Sequence, residues 1–224
     1  PQGGLISPIL ANVYLHYVLD LWFEKCIKKQ LHGEAYLVRF ADDFLIMFQY
    51  ERDAQRVYEA IIRRMELFGL ELSKEKTRIL PFGRNCGTRE TFDFLGFTHF
   101  NSKTRKGYYS VGHKISRKKK KQFKSNLKKW VKKNRDKQFG EFMKKLNKKL
   151  TGSFNYYSLS GMIREVRSLW IHSLYVTFKW MNRRSQRRSF KLERFYEIWN
   201  DRIVHPYIHV DIWSGDKVFY NKNV

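Results

Sequence analysis

The chain has 224 residues, with 45 Lys+Arg against 21 Asp+Glu and a formal net charge of +24. Hydrophobic residues make up 42% and aromatics 17%, enough for a packed core and too many for a globally disordered chain. No apolar stretch approaches the roughly 18 residues of a membrane-spanning helix, and no signal peptide is expected. Cys26 and Cys86 lack metal-type spacing and read as reduced thiols. Residues 1–100 hold 13 basic and 13 acidic side chains, so the whole +24 falls in residues 101–224. That asymmetry predicts a neutral module and a polyanion-binding one, divided near Gly112, with nucleic acid the first candidate partner.

In chain order, Ser7-Pro8 reads as a helix start, with Ser7 as N-cap. Leu10, Val13, Tyr14, Tyr17 and Leu21 recur at helical spacing, so a helix is predicted to about Lys29, broken at His32-Gly33. Tyr36–Phe40 and Phe44–Gln49 read as two buried strands, joined tightly by Ala41-Asp42-Asp43. Asp53 is placed to cap a second helix carrying Val57, Tyr58, Ile61, Met65 and Phe68, with Gly69 as its stop. Thr77–Leu80 reads as a strand, and Phe92–Phe100 with Tyr108–Ile115 as a further hairpin. The order of helix, hairpin, helix, strand and hairpin is an α+β arrangement with an antiparallel sheet.

After Ser116 the pattern turns helical. Phe123/Leu127/Trp130/Val131, Phe139/Met143/Leu146/Leu150 and Ile163/Val166/Trp170/Leu174/Phe178 form three apolar stripes, the last capped by Ser160. Leu192, Phe195, Tyr196 and Trp199 suggest a short fourth helix. Lys118, Lys119, Lys120, Lys121, Lys128, Lys129, Lys132 and Lys133 lie opposite the first stripe, and Arg183, Arg184, Arg187 and Arg188 form a second basic cluster. Such faces bind phosphates with little sequence preference and strong salt dependence.

Asp42 and Asp43 are adjacent carboxylates in an otherwise apolar run. One reading is a turn that lifts both into water, since Asp is a common turn residue. The other is a divalent-cation site, because a cation relieves the repulsion and Mg²⁺ takes one or two carboxylates plus substrate phosphates.

Four ordered blocks favour the second reading. They are Pro1-Gln2-Gly3-Gly4 with Ser7-Pro8, Ala11-Asn12 and Tyr14; Phe40-Ala41-Asp42-Asp43; Gly69-Leu70-Glu71-Leu72-Ser73 with Lys76-Thr77; and Phe94-Leu95-Gly96-Phe97. The pattern resembles the group II intron-encoded reverse transcriptase/maturase family. Leu150–Tyr157, Trp180–Ser189 and His205-Pro206-Tyr207 look like its thumb, or maturase, region.

The resemblance implies a partial palm over residues 1–112 and a basic, all-α thumb/maturase domain over 113–224. It implies Asp42 and Asp43 as catalytic and metal-site carboxylates, and Lys76 as the group that protonates or neutralises departing pyrophosphate. Gln2, Gly3 and Phe40 would lie at the nucleotide and template, with Phe40 in place of the usual Tyr. Phe94, Leu95, Gly96 and Phe97 would form the primer grip. The implied cofactor is Mg²⁺ at a two-metal site, completed by an aspartate upstream of Pro1. The implied partners are an intron RNA template, a DNA primer and dNTPs, with no membrane and with a second copy as a possible partner. The setting would be bacterial cytoplasm or, in a eukaryote, an organelle.

The chain opens without Met, so a piece of a longer polypeptide is expected. The fingers and the upstream aspartate are not in it, and the isolated chain is expected not to polymerise. No zinc-stabilised nuclease pattern occurs up to Val224. The alternative of another class is a non-catalytic RNA-binding maturase that keeps the palm as scaffold.

Overall fold

A computed structural model describes residues 6–73, 75–184, 189–208 and 210. The fold is α+β, and the chain divides into two compact units, Pro1–Leu95 and Gly96–Val224.

The first unit begins with a helical rod over residues 7–30. Helix α1 (Ser7–Leu15) is followed by π-type turns at His16–Asp20 and Phe23–Ile27 and a 3₁₀ end at Lys28–Gln30. Pro8 is tolerated in the first turn, where its missing N–H costs no helical bond. Ser7 is not the N-cap; that position is Ile6, with no side-chain cap. The rod's length agrees with the sequence pattern, but its buried face does not. Leu10, Val13, Tyr14 and Tyr17 are exposed, while Val18, Leu19 and Phe23 are buried. Helix α1 buries none of its residues, and the rod meets the core only from the first wide turn onward, where the angular spacing also changes.

Strands β1 (Ala35–Phe40) and β2 (Asp43–Phe48) form an antiparallel hairpin with Ala35 opposite Phe48 and Phe40 opposite Asp43. The connecting turn is therefore Ala41-Asp42 alone, one residue shorter than predicted. Nor are the strands buried on both faces. Ala35 is in the core and Leu37 packs against it, whereas Tyr36, Val38, Phe40 and Met47 face outwards. A two-stranded hairpin has only one face against its helices, and successive side chains alternate between faces.

Helix α2 (Glu51–Leu67) buries Val57, Ile61 and Met65 against Val18, Leu19, Phe23 and Ala35. Arg64 ties it to the rod, its Nε donating to the Val18 carbonyl at 3.1 Å. Asp53 does not cap α2, whose N-cap is Tyr50. It is buried in the first turn and accepts from the backbone N–H groups of His32 and Gly33 at 2.9 and 3.1 Å, pinning the bend before β1. Gly69 stops α2 in the left-handed conformation, with φ +68, as the sequence predicts. Thr77–Leu80 is not a strand: it is irregular, tied by Thr77 N–H to the Ser73 carbonyl. Branched residues alone do not make a strand without a partner edge.

The predicted Phe92–Phe100 strand is split by a turn at Leu95-Gly96 into β3 (Thr91–Phe94) and β4 (Phe97–Lys103). The boundary between compact units falls here, and not near Gly112. Gly112 lies inside β5 (Tyr109–Ile115), opposite Phe100, whose ring leaves no room for a Cβ. The β4–β5 hairpin packs on the helices through Ile115 and Phe97, so it belongs with them.

Helix α3 (Arg117–Asn134) is capped by Ser116, whose hydroxyl accepts from Lys119 N–H. It packs with α4 (Phe139–Tyr157), α5 (Ile163–Met181) and α6 (Leu192–Arg202) around Leu127, Phe142, Leu146, Leu169, Phe195 and Trp199. The N-cap of α5 is Met162, not Ser160, whose hydroxyl instead donates to the Val210 carbonyl. Among the described residues no helix is long and apolar enough to cross a membrane.

Candidate active site and nucleic-acid surface

Asp42 and Asp43 sit at the apex of the β1–β2 hairpin, both exposed. This is the turn geometry that lifts carboxylates into water, so burial is not what sets them apart. Two other features do. Among the described residues, no hydrogen bond or ion pair engages either carboxylate. The turn beneath them is also strained: Ala41 has φ +56. A non-glycine residue in the left-handed region costs about 1–2 kcal/mol and persists where its surroundings hold it. Among the described residues the other non-glycine case is Leu95, φ +51, in the Phe94–Phe97 block. Both strained turns thus fall inside motifs singled out from the sequence.

The surroundings that hold Ala41 begin with Arg39. Arg39 shares the inward side of β1 with Ala35 and Leu37, where alternation calls for an apolar residue, and its side chain is only 12% exposed. It donates from Nε and Nη2 to both carboxylate oxygens of Asp20 at 2.7 and 2.6 Å. Its Nη1 donates to the Asn12 side-chain oxygen and to the Ala41 carbonyl, each at 2.9 Å. Hydrogen bonding from Arg39 holds the Asp20 carboxyl below the usual carboxylate range, and the same bond raises the Arg39 guanidinium. Sequence reasoning missed this network. Its only signal was a charged residue at an inward strand position.

The donor set suits a hard divalent cation. Asp42 and Asp43 offer free carboxylate oxygens, the ligands Mg²⁺ takes. They do not close a site alone, and no group of three or more acidic, His or Cys side chains that could hold a metal occurs among the described residues. Phe40 projects outward beside them, 65% exposed. Lys76 is exposed in the irregular stretch after α2. Gln2 and Gly3 lie outside the described residues.

In the second unit, Gly96, φ +84, completes the turn that Leu95 begins. A Cβ there would lie 3.5 Å from Lys119 Cγ and 3.8 Å from the Tyr157 hydroxyl. Phe97 stacks on Tyr156 at 5.8 Å and meets Tyr157 edge-on at 5.5 Å. The fold thus brings Gly96 and Phe97 to the start of α3 and the end of α4.

Lys118, Lys119, Lys121, Lys128, Lys129, Lys132 and Lys133 are exposed along α3. Lys120 differs, since its ammonium is 2.8 Å from Glu165. Arg183 and Lys132 converge on the Trp180 ring at 5.5 and 5.4 Å, joined by Arg135 at 5.7 Å, which the sequence did not flag. Arg184 donates to the Lys137 carbonyl at 3.4 Å. Arg187 and Arg188 lie outside the described residues.

A model of the reverse transcriptase (RNA-dependent DNA polymerase) family matches residues 1–99. The match takes in both strained turns and the Asp42-Asp43 pair, and ends before the basic helices. It supports reverse transcriptase chemistry in general, whose substrates are a nucleic-acid template, a primer and dNTPs. No curated protein matches the chain significantly.

Proposed function

We propose that the chain is the C-terminal part of the palm, with the thumb/maturase region, of a group II intron reverse transcriptase that also binds its intron RNA during splicing and mobility. One observation carries the reading: two carboxylates without a partner among the described residues stand on a strained hairpin inside the segment that matches the reverse transcriptase family. The exposed apolar faces of α1 and β1 support it, since Ile9, Val13, Tyr36 and Val38 suit a unit that packs within a larger palm.

In this reading Asp42 and Asp43 hold Mg²⁺ with a further aspartate from outside this chain. The metal supplies charge neutralisation at the nucleotide phosphates. Phe40 offers a ring beside the nucleotide, and Gln2 and Gly3 approach the template. Lys76 delivers positive charge to the leaving pyrophosphate. Residues 94–97 position the primer. The exposed lysines of α3 and the Trp180 cluster hold template RNA through its phosphates.

Primer extension on an RNA template with Mg²⁺ tests this, in a polypeptide that also carries the upstream aspartate strand. Extension is expected, with loss in Asp42→Asn. A folded, RNA-binding polypeptide that extends nothing would leave the second reading, a non-catalytic RNA-binding maturase. The observation on its side is that the whole +24 charge lies in the helical unit.

A further inference from the structure

Arg39 is an expensive residue to place on the packed side of a strand. A long cation there loses water and rotamer freedom, and is tolerated only when its donors are satisfied. Four directed hydrogen bonds meet that need, and their partners are spread along the chain: Asn12 in α1, Asp20 in the first π turn, and the carbonyl of Ala41. The Asp20 and Asn12 bonds fix the guanidinium on the rod. The bond to Ala41 then fixes the peptide that enters Asp42. A guanidinium is suited to this because its planar fork can grip a carboxylate with one edge and still donate elsewhere. Lysine has the charge without the fork.

We propose that Arg39 is a positioning residue for the Asp42-Asp43 pair: anchored by Asp20 and Asn12, it holds the left-handed Ala41 turn so that both carboxylates can bind one divalent cation. The inference rests on the metal-site reading above and adds a residue that touches neither metal nor nucleotide. Residues that orient metal ligands from behind typically change metal affinity by about 10- to 100-fold when altered.

The test is an Mn²⁺ titration of the isotopically labelled chain, following paramagnetic broadening of the Asp42 and Asp43 amide signals. Arg39→Lys keeps the charge and removes the fork. Asn12→Ala removes one anchor at an exposed position, and serves if Arg39→Lys fails to fold. Ile61→Val lowers stability through the core beneath the hairpin without altering any bond of the Arg39 network, and sets the baseline for a merely structural effect. The expected result is that Arg39→Lys needs about tenfold more Mn²⁺ for the same broadening and Asn12→Ala several-fold more, while Ile61→Val matches the unsubstituted chain.

Folded Arg39→Lys and Asn12→Ala chains that broaden at the unsubstituted chain's Mn²⁺ concentration would overturn the positioning role and leave the metal site standing. So would an unfolded Arg39→Lys beside an unaffected Asn12→Ala. If the unsubstituted chain shows no broadening at Asp42 and Asp43, the metal reading itself fails and takes the positioning role with it. That failure is distinguishable because it appears before any substitution.

Discussion

The two units solve opposite surface problems. Residues 1–95 carry no net charge and leave large apolar side chains in solvent, among them Ile6, Ile9, Tyr17 and Phe40. Residues 96–224 carry the entire +24, yet close a core of Trp199, Phe142, Phe154 and Phe195, none more than 2% exposed. The helices of the second unit achieve this by turning their largest apolar side chains inward and most of their lysines outward, although Tyr156, Tyr175 and Tyr196 stay exposed. The difference teaches that the charge is an outward property of a well-packed helical body. The candidate metal-site carboxylates stand instead on the unit that leaves more of its apolar side chains in solvent.

The largest effect that sharpens this contrast lies in the core of the second unit. Trp199→Ala is expected to cost about 3–5 kcal/mol, measured by chemical denaturation, because the indole is fully buried among Phe195 and Trp170. Tyr17→Ala, at an exposed position of the first unit, should cost well under about 1 kcal/mol. Comparable losses would break the comparison.

Next comes the charge itself. Replacing Lys128, Lys129, Lys132 and Lys133 by Gln should flatten the slope of the salt dependence of duplex binding by up to about 3.6, at about 0.9 for each phosphate no longer neutralised. Replacing Lys25, Lys28 and Lys29 of the neutral unit should leave the slope nearly unchanged. Equal slopes for the two sets would mean that charge segregation does not decide where nucleic acid binds.

Smaller still is the cap of α3. Ser116→Ala removes the hydroxyl that accepts from Lys119 N–H and should cost about 1 kcal/mol, read as a lower midpoint in denaturant.

The smallest effect is in acid, and it separates the units by pH. Burial lowers His172 below its ordinary 6.5, so the second unit's stability from this group is present above pH 6.5. It is lost as pH falls through the lowered value, because the unfolded chain takes up the proton first. In the first unit, Arg39 lowers Asp20 and the His32 hydrogen bond lowers Asp53, both from 3.8. Their contribution is complete above about pH 3.8 and falls away only below it. Amide signals recorded between pH 7 and 3 should therefore weaken in α5 before they weaken in β1. His172→Gln should remove the early step. The reverse order would show that other groups govern the acid response.

Much of the second unit was legible because each helix carries an apolar stripe at a constant helical period. Leu127/Val131 and Leu146/Leu150 fall where periodicity places them. The first unit was less so, for identifiable reasons. Two π turns interrupt the period of the rod, so its spacing points Tyr17 inward although it is exposed. Asp53 carries the local signature of a cap, while its partners are 20 and 21 residues away. Gly112 looks like a linker because the ring of Phe100 that covers it is remote in sequence.

At the candidate site, the adjacency of Asp42 and Asp43 and their place at a turn could be read directly. Their freedom from partners among the described residues, the Arg39 network and the gathering of Arg135 around Trp180 depend on register and on contacts across helices, which no local pattern encodes.

The π turn at His16–Asp20 also has a consequence for insertions and deletions. In a regular α-helix, positions eight apart such as Asn12 and Asp20 point about 80° away from each other. The Leu21 N–H instead reaches back five residues to the His16 carbonyl, and the widened turn lets both side chains meet the same guanidinium. Regular winding at unchanged length would turn Asn12 off that partner, whereas removing a single residue between His16 and Asp20 would restore regular winding with the two seven apart, about 20° from a common line, so the shared grip on Arg39 survives. The widened turn thus carries one residue of slack for the turn that holds Asp42, and a one-residue deletion in it should be more forgiving to the Arg39 grip than one in the regular winding of α1.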